Sequence, residues 1–223
     1  MRREAVAAEV RPMIVYGSPL SPFVRKTLAY ISEKGLTVEL KPVGLGSQDP
    51  AFREASPFGK IPGFRDGDFA ISDSTAIITY LEAKFPEPAL IPADPAARAR
   101  TIWFEEFSDT MVVGAGGKIF FNRIVSPRFL GKPGDEALVA QGEKEMGPLL
   151  DYLERIIPAS GFLVEDRLTL ADIAVASPFV NLSHCEIEVS VGDHPKLAAY
   201  LAKILSRPSF GPMIAQEKAM LAR

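Results

Sequence analysis

The chain has 223 residues, of which 47% are apolar, and its formal net charge at pH 7 is −3. This length allows one large domain or two small ones, and the scattered Lys and Arg residues argue against a nucleic-acid-binding surface. No apolar run is long enough to span a bilayer. The single cysteine, Cys185, excludes an internal disulfide and a cysteine-rich metal cluster. We therefore expect a cytoplasmic protein without a membrane or nucleic-acid partner.

Residues 1–12 carry early positive charge but no apolar segment, so they do not match a secretory signal. We expect them to form an N-terminal extension that precedes the first strand.

The first predicted unit opens with a strand at 13–16, a turn of Gly, Ser and Pro, and a helix that ends at Gly35. Ser21 stands directly before Pro22, which is the preferred N-cap and N1 pairing. Backbone N–H groups and the positive end of the helix dipole gather at such a position, so it suits a negatively charged ligand atom. A plain helix cap is the simpler interpretation of an arbitrary Ser-Pro pair.

Alternating apolar residues predict a second strand at 37–42, and a weaker pattern predicts a short helix at 51–55. The pair Asp66-Gly67 lies between apolar flanks, which is a strong hairpin signal. It predicts antiparallel strands at 62–65 and 68–71. Together with a helix that begins near residue 73, these elements give the order β-α-β-α-β-β-α.

Residues 86–94 are rich in proline, which predicts a linker between two units of the chain. The remainder, 95–223, has helical patterns without convincing strands. Asp94-Pro95 predicts the first helix start, and three glycines near residue 115 suggest a bend or close packing. Thr169 and Asp172 have capping-box spacing, which predicts a structural role for that acid.

Four stretches, at residues 18–26, 56–64, 71–81 and 168–174, resemble the motifs of serine-type glutathione transferases of the tau, zeta and theta-like classes. Their order and spacing cover nearly the whole chain. The resemblance implies an α/β thioredoxin-like domain at 13–85, followed by an all-α, C-terminal glutathione-transferase domain at 95–223. It also implies glutathione as co-substrate.

The resemblance implies that Ser21 is the catalytic residue, because its hydroxyl would donate a hydrogen bond to the glutathione thiolate and lower the pKa of that thiol. Ser18 is the rival for this role, since both serines lie in the same turn. The adjacent His184 and Cys185 suggest a thiol nucleophile at first sight, but a buried and inert cysteine is the better interpretation.

The resemblance further implies five glutathione-binding residues. The bond between Ile61 and Pro62 would be cis, so that the backbone of Ile61 pairs with the tripeptide as a neighbouring strand would. Asp73 would receive the γ-glutamyl ammonium group and Ser74 the γ-glutamyl carboxylate at a helix N-terminus. Lys60 would meet the glycine carboxylate, for which Gln48 is a weaker candidate. At residues 73 and 56, Asp and Ser stand where the family has Glu and Asn.

A small hydrophobic electrophile would lie between the two domains, with Phe107, Met111 and Phe120 as candidate contacts. The sequence leaves conjugation, isomerisation, dehalogenation and peroxide reduction open. The resemblance implies a homodimer. Two other functions stay open: a non-catalytic binding protein with the same fold, and a thiol-disulfide oxidoreductase, which the missing active-site cysteine disfavours.

Overall fold

A computed structural model describes residues 12–222. The predicted extension at 1–12 therefore lies outside the described residues except for Pro12. Within residues 12–222, no helix is long and apolar enough to cross a membrane.

The first part of the chain folds around a four-stranded mixed sheet with the strand order β2-β1-β3-β4. The strands are β1 (Ile14–Gly17), β2 (Glu39–Pro42), β3 (Gly63–Asp66) and β4 (Phe69–Ser72). β1 pairs in parallel with β2 and antiparallel with β3, and β3 forms a hairpin with β4. Each hairpin strand begins one residue later than the sequence predicted, and the two-residue turn is likewise shifted by one, from Asp66-Gly67 to Gly67-Asp68, where Gly67 has a positive φ.

Three helices cover the two faces of this sheet: α1 (Pro22–Glu33), α2 (Pro50–Ala55) and α3 (Ser74–Lys84). Because adjacent strand residues point to opposite faces, Val15 joins the core cluster that includes Phe64 and residues of α1 and α3. Its neighbour Tyr16 packs instead on Phe52 of α2. The thioredoxin-like order predicted from the sequence is confirmed.

The second part of the chain is helical throughout the residues that the structure describes. It comprises α4 (Pro95–Glu106), α5 (Val113–Phe120), α6 (Ser126–Phe129), α7 (Glu136–Ile156), α8 (Leu170–His184), α9 (Pro195–Leu205) and α10 (Gly211–Leu221). Two π-helical segments, Phe107–Val112 and Phe121–Val125, join α4 to α5 and α5 to α6.

Helix α5 continues through the glycines near residue 115, where the sequence suggested a bend or close packing. Close packing is found at Gly116, where an added Cβ would lie 3.3 Å from Met146 Cε of α7. A continuous helical path therefore runs from α4 to α6. Because a π turn holds more residues than an α turn, each π segment changes which of the following residues face the core.

Helix α8 lies at the centre of the helical part, and every residue from Leu170 to Leu182 is buried. A helix that is buried on all sides needs its polar ends satisfied from within. The predicted capping box is present: the Thr169 N–H donates to Asp172 Oδ2 at 2.9 Å. Asp172 Oδ1 also accepts from the Leu163 N–H at 2.9 Å, so this acid ties the loop before α8 to the helix.

Candidate active site

A cavity of about 720 Å³ lies between the sheet part and the helical part. Its walls come from the β1–α1 turn, the loop after β2, helix α5 and the π segment that follows, and the ends of α8 and α10. Among its lining residues in the described chain, none carries a charge, and the polar side chains are Ser18, Ser21 and Asn181. Such a cavity is suited to an apolar ligand oriented by a few hydroxyl groups.

Ser21 is half-buried in this cavity and caps α1. Its Oγ accepts a hydrogen bond from the Val24 N–H at 3.4 Å, and Pro22 follows as the first helical residue. Within the described residues, no acceptor takes the hydroxyl proton of Ser21. The side chain can therefore act as a cap and still donate to an anion at the positive end of the helix dipole.

Helix α8 fixes the backbone on both sides of Ser21. Asn181 Nδ2 donates to the carbonyl of Leu20 at 2.8 Å, and Ser177 Oγ donates to the carbonyl of Pro22 at 2.7 Å. Because Asn181 Oδ1 accepts from Arg25 Nη1 at 2.8 Å, the amide is engaged at both ends. The position of the Ser21 hydroxyl is thus set by the helical part of the chain.

Ser18 lines the same cavity, so the structure brings both candidate serines to one place. Its backbone carbonyl accepts from the Ser21 N–H at 3.0 Å, which closes the turn. Ser18 lies three residues before the cap, whereas Ser21 lies at the helix start itself. The stronger helix-end field therefore acts at Ser21.

The loop before β3 brings Ile61 into the cavity. The Ile61-Pro62 bond is cis, as the resemblance implied. Among the residues that the structure describes, neither the N–H nor the C=O of Ile61 is hydrogen-bonded. An extended peptide could therefore pair with this backbone. Lys60 is exposed at the outer end of the loop, and its carbonyl accepts from Ser56 Oγ at 2.6 Å.

The N-terminus of α3 lies next to this loop, because the Asp73 N–H donates to the Pro62 carbonyl at 3.3 Å. Asp73 has a φ of 85° and caps the helix, with Oδ1 accepting from the N–H groups of Thr75 and Ala76 at 2.9 and 3.1 Å. These two N–H groups at the start of α3, which were expected to face a ligand carboxylate, therefore already donate to Asp73. Ser74 is buried at the first position of α3.

A buried charge cluster beneath α3 did not follow from the sequence. Lys26 Nζ lies 2.9 Å from Glu105 Oε1 and 2.5 Å from Asp109 Oδ2, and Thr75 Oγ1 donates to Glu105 Oε1 at 2.9 Å. Burial raises the pKa of the Asp109 carboxyl, and the nearby Lys26 ammonium opposes that rise. The signal in the sequence was Lys26 inside an otherwise apolar helix face, next to Arg25.

Of the three candidate contacts for the electrophile, only Phe120 lines the cavity. Phe107 is buried in the helical core and stacks on Trp103, with ring centroids 5.5 Å apart. Met111 is half-exposed outside the cavity. Both belong to the first π segment, Phe107–Val112.

Cys185 is buried at the end of α8, and burial raises the pKa of its thiol to about 11. A thiol of that pKa is protonated at neutral pH, so it is not an activated nucleophile. Its neighbour His184 has Nε2 2.8 Å from Glu217 Oε2 and serves the contact between α8 and α10.

Two family models match the chain: the N-terminal domain of glutathione S-transferase over residues 15–89 and the C-terminal domain over residues 116–208. A glutathione S-transferase of Hyoscyamus muticus is 32% identical over 208 residues, which are 91% of this chain and 97% of the relative.

Two solved structures have a similar fold. A glutathione S-transferase from Rhodospirillum rubrum superposes with a TM-score of 0.82 at 27% identity, over 90% of this chain and 91% of that one. A theta-class glutathione S-transferase from Xanthomonas axonopodis, with glutathione bound, superposes with a TM-score of 0.80 at 27% identity, over 92% and 98% of the two chains. The fold and the family predicted from the four motifs are confirmed, and the chain belongs to the glutathione S-transferase family.

Proposed function

We propose that this glutathione transferase activates the thiol of glutathione through the hydroxyl of Ser21. The supporting observation is that Ser21 caps α1 and faces the apolar cavity, with its own proton not engaged among the described residues. A free thiol has a pKa of about 8.5, so little of it is thiolate at neutral pH. A hydrogen bond from Ser21, together with the helix dipole, stabilises the thiolate and makes more nucleophile available.

Glutathione would lie along the loop before β3. Ile61 supplies an unpaired N–H and C=O beside the cavity, and the cis Pro62 links this loop to Asp73. In our proposal the γ-glutamyl carboxylate meets Ser74 at the start of α3, and the ammonium group meets the second oxygen of Asp73. Lys60 meets the glycine carboxylate.

The electrophile would occupy the apolar part of the cavity. In a substitution, the thiolate sulfur attacks carbon, the new C–S bond forms, and the leaving group departs with the bonding electron pair. The thiol proton has by then passed to solvent. Relatives that match over nearly the whole chain carry the name of a transferase, which favours this reaction over a non-catalytic binding role and over thiol-disulfide exchange.

From the family resemblance we also propose a homodimer in the cytoplasm, where glutathione is kept reduced. Sedimentation equilibrium would test the dimer directly: a mass of twice the chain supports it, and a single-chain mass at micromolar concentration contradicts it.

Replacing each serine separately tests the catalytic assignment. We expect Ser21→Ala to lower kcat/KM for an aryl halide about 10- to 100-fold, because a hydrogen bond to a charged group contributes about 1.5–3 kcal/mol. Ser18→Ala is the matched control and should keep most of the activity. Full activity in Ser21→Ala with loss in Ser18→Ala would reverse the assignment.

A further inference from the structure

One helical face forms a wall of the cavity and is interrupted by a glycine. Val113, Phe120 and Phe121 line the cavity at three or four residues from Gly117, and Val125 lies four residues after Phe121; Gly116 lines the cavity as well. Residues at these spacings lie on one side of a helix. Gly117 has no side chain and leaves a gap among these four larger residues.

The packing of the protein does not require glycine at position 117. A Cβ added there would meet no heavy atom within 4 Å, whereas a Cβ at Gly116 would lie 3.3 Å from Met146 Cε and 3.5 Å from Leu182 Cδ2. Glycine lowers helix stability relative to alanine. The approach of neighbouring helices therefore accounts for Gly116, whereas a side chain at position 117 would extend into unfilled space at the cavity wall.

That open space is uncharged and partly aromatic. Phe120 and Phe121 follow Gly117 within one turn of the same wall, and Phe23 of α1 also lines the cavity. Aromatic rings favour offset or edge-to-face contacts with other rings. Away from Ser21, a charged ligand would lose its hydration without gaining an oppositely charged partner among the lining residues. The whole cavity, which glutathione and the electrophile would share, has a volume of about 720 Å³, within the range of ligand-binding cavities.

We propose that Gly117 sets the size limit of the electrophile site and admits a neutral aromatic electrophile of two fused rings. This inference rests on the proposed function, since it names the substrate class of the same cavity. For an aryl halide, the C–S bond to glutathione forms, the C–halogen bond breaks, and halide leaves with the electron pair.

Leucine at position 117 would fill the gap, and Gly114 provides the matched control. Gly114 belongs to the same helix and also has no heavy atom within 4 Å of an added Cβ, but it is exposed to solvent outside the cavity. The test measures kcat/KM of wild type and both variants for a one-ring halide, 1-chloro-2,4-dinitrobenzene, and a two-ring halide, 1-chloro-2,4-dinitronaphthalene. Gly117→Leu should lower the value for the two-ring halide about ten-fold or more and that for the one-ring halide much less. Gly114→Leu should change neither by more than about two-fold.

Binding of the uncharged fluorophore N-phenyl-1-naphthylamine gives a readout that needs no thiol chemistry. We expect wild type and Gly114→Leu to bind it alike and Gly117→Leu to bind it at least about ten-fold more weakly, with all three proteins keeping a cooperative thermal transition. If the wild type binds the fluorophore in this pattern but turns over neither halide, the proposed function fails and the size limit stands. If Gly117→Leu binds the fluorophore and converts the two-ring halide like wild type, the inference is overturned.

Discussion

Ser21 and Asp172 both stand at the start of a helix, but their surroundings give them different tasks. Ser21 is half-buried beside a cavity, so its hydroxyl can reach a ligand. Asp172 is fully buried, and its two oxygens accept hydrogen bonds from Leu163, Thr169 and Tyr200. The same type of position is therefore open to a ligand in one case and closed within the core in the other.

Replacing Asp172 should destabilise the protein more than the loss of an ordinary helix cap. Asp172→Ala leaves the N–H groups of Leu163 and Thr169 without their acceptor in a buried site, and each such group costs about 1–3 kcal/mol. We expect a loss of about 2–4 kcal/mol in the free energy of unfolding, compared with about 1 kcal/mol for a simple cap. Urea denaturation measures this loss, and an unchanged free energy of unfolding would contradict the structural role of Asp172.

The stability that Asp172 contributes should also depend on pH. Burial raises the pKa of its carboxyl to about 6, above the value of about 3.9 in an unfolded chain. Between these two pKa values the folded protein holds a proton that the unfolded chain has released. The resulting contribution to the free energy of unfolding is therefore full below about pH 4 and is lost as the pH rises through about 6.

Asp172→Asn removes this titration and is the matched comparison. The stability of wild type relative to the Asp172→Asn variant should fall by up to about 3 kcal/mol between about pH 4 and pH 7. A difference that stays constant over this range would show that Asp172 keeps an ordinary pKa.

Among single residues, local signals identified the caps but not the charge cluster. Ser21 and Asp172 followed from Ser-Pro and from capping-box spacing, because both patterns act within one turn of helix. The pairing of Lys26 with Glu105 joins residues 79 positions apart. No local pattern encodes such a contact, since it depends on how α1 packs against α4.

At the scale of elements, the contact between α5 and α7 relies on glycine at a few positions. A Cβ at Gly142 of α7 would lie 2.7 Å from the Ala115 carbonyl oxygen and 2.9 Å from Ile119 Cγ1. Backbone atoms cannot move aside easily, so only glycine allows this approach. Gly114 of α5 faces open space instead.

These two glycines should respond in opposite ways to alanine. Gly142→Ala should lower the free energy of unfolding by about 1–3 kcal/mol, because it overpacks the helix contact. Gly114→Ala should raise it by about 0.5–1 kcal/mol through better helix propensity. Thermal unfolding of the two variants checks both signs, and stabilisation by Gly142→Ala would contradict the close approach of the helices.

Periodicity predicted the helices and the sheet well, because these patterns are carried by the chain itself. The predicted and observed starts of strands and helices differ by one or two residues. For example, β2 begins at Glu39 and not at residue 37. The π segments could not be predicted, since the pattern was compared with a regular helix. Phe107 and Met111, which belong to the first of these segments, lie away from the cavity that Phe120 lines.

At the scale of the whole molecule, buried ion pairs join the two parts of the chain. Arg25 of α1 is fully buried and donates to Glu217 of α10 at 2.7 and 2.6 Å, and to the Ser177 carbonyl of α8 at 2.7 Å. Burial alone would raise the pKa of Glu217, but hydrogen bonds from His184 and Arg25 hold it below its usual range. The start of α1, next to the turn that holds Ser21, is thereby attached to the helical part.

Removing Arg25 should destabilise the whole molecule. Arg25→Met leaves the Glu217 carboxylate buried without its main partner, which costs about 3–5 kcal/mol. Arg207→Met is the control: its pair with Glu33 is partly exposed, and such pairs contribute about 0–1 kcal/mol. Denaturant unfolding measures both, and equal losses would show that burial of the Arg25 pair does not matter. A second replacement, Glu217→Leu, should restore part of the loss.

The central claim concerns the pKa of glutathione when it is bound beside Ser21. Ultraviolet absorbance of the thiolate, titrated in the presence of excess protein, measures this value directly. We expect the thiol of bound glutathione to ionise about one to two pH units below its free value of about 8.5, and to return towards that value in Ser21→Ala. A bound thiol that ionises as it does in plain buffer, or a tripeptide that does not bind, would contradict the account.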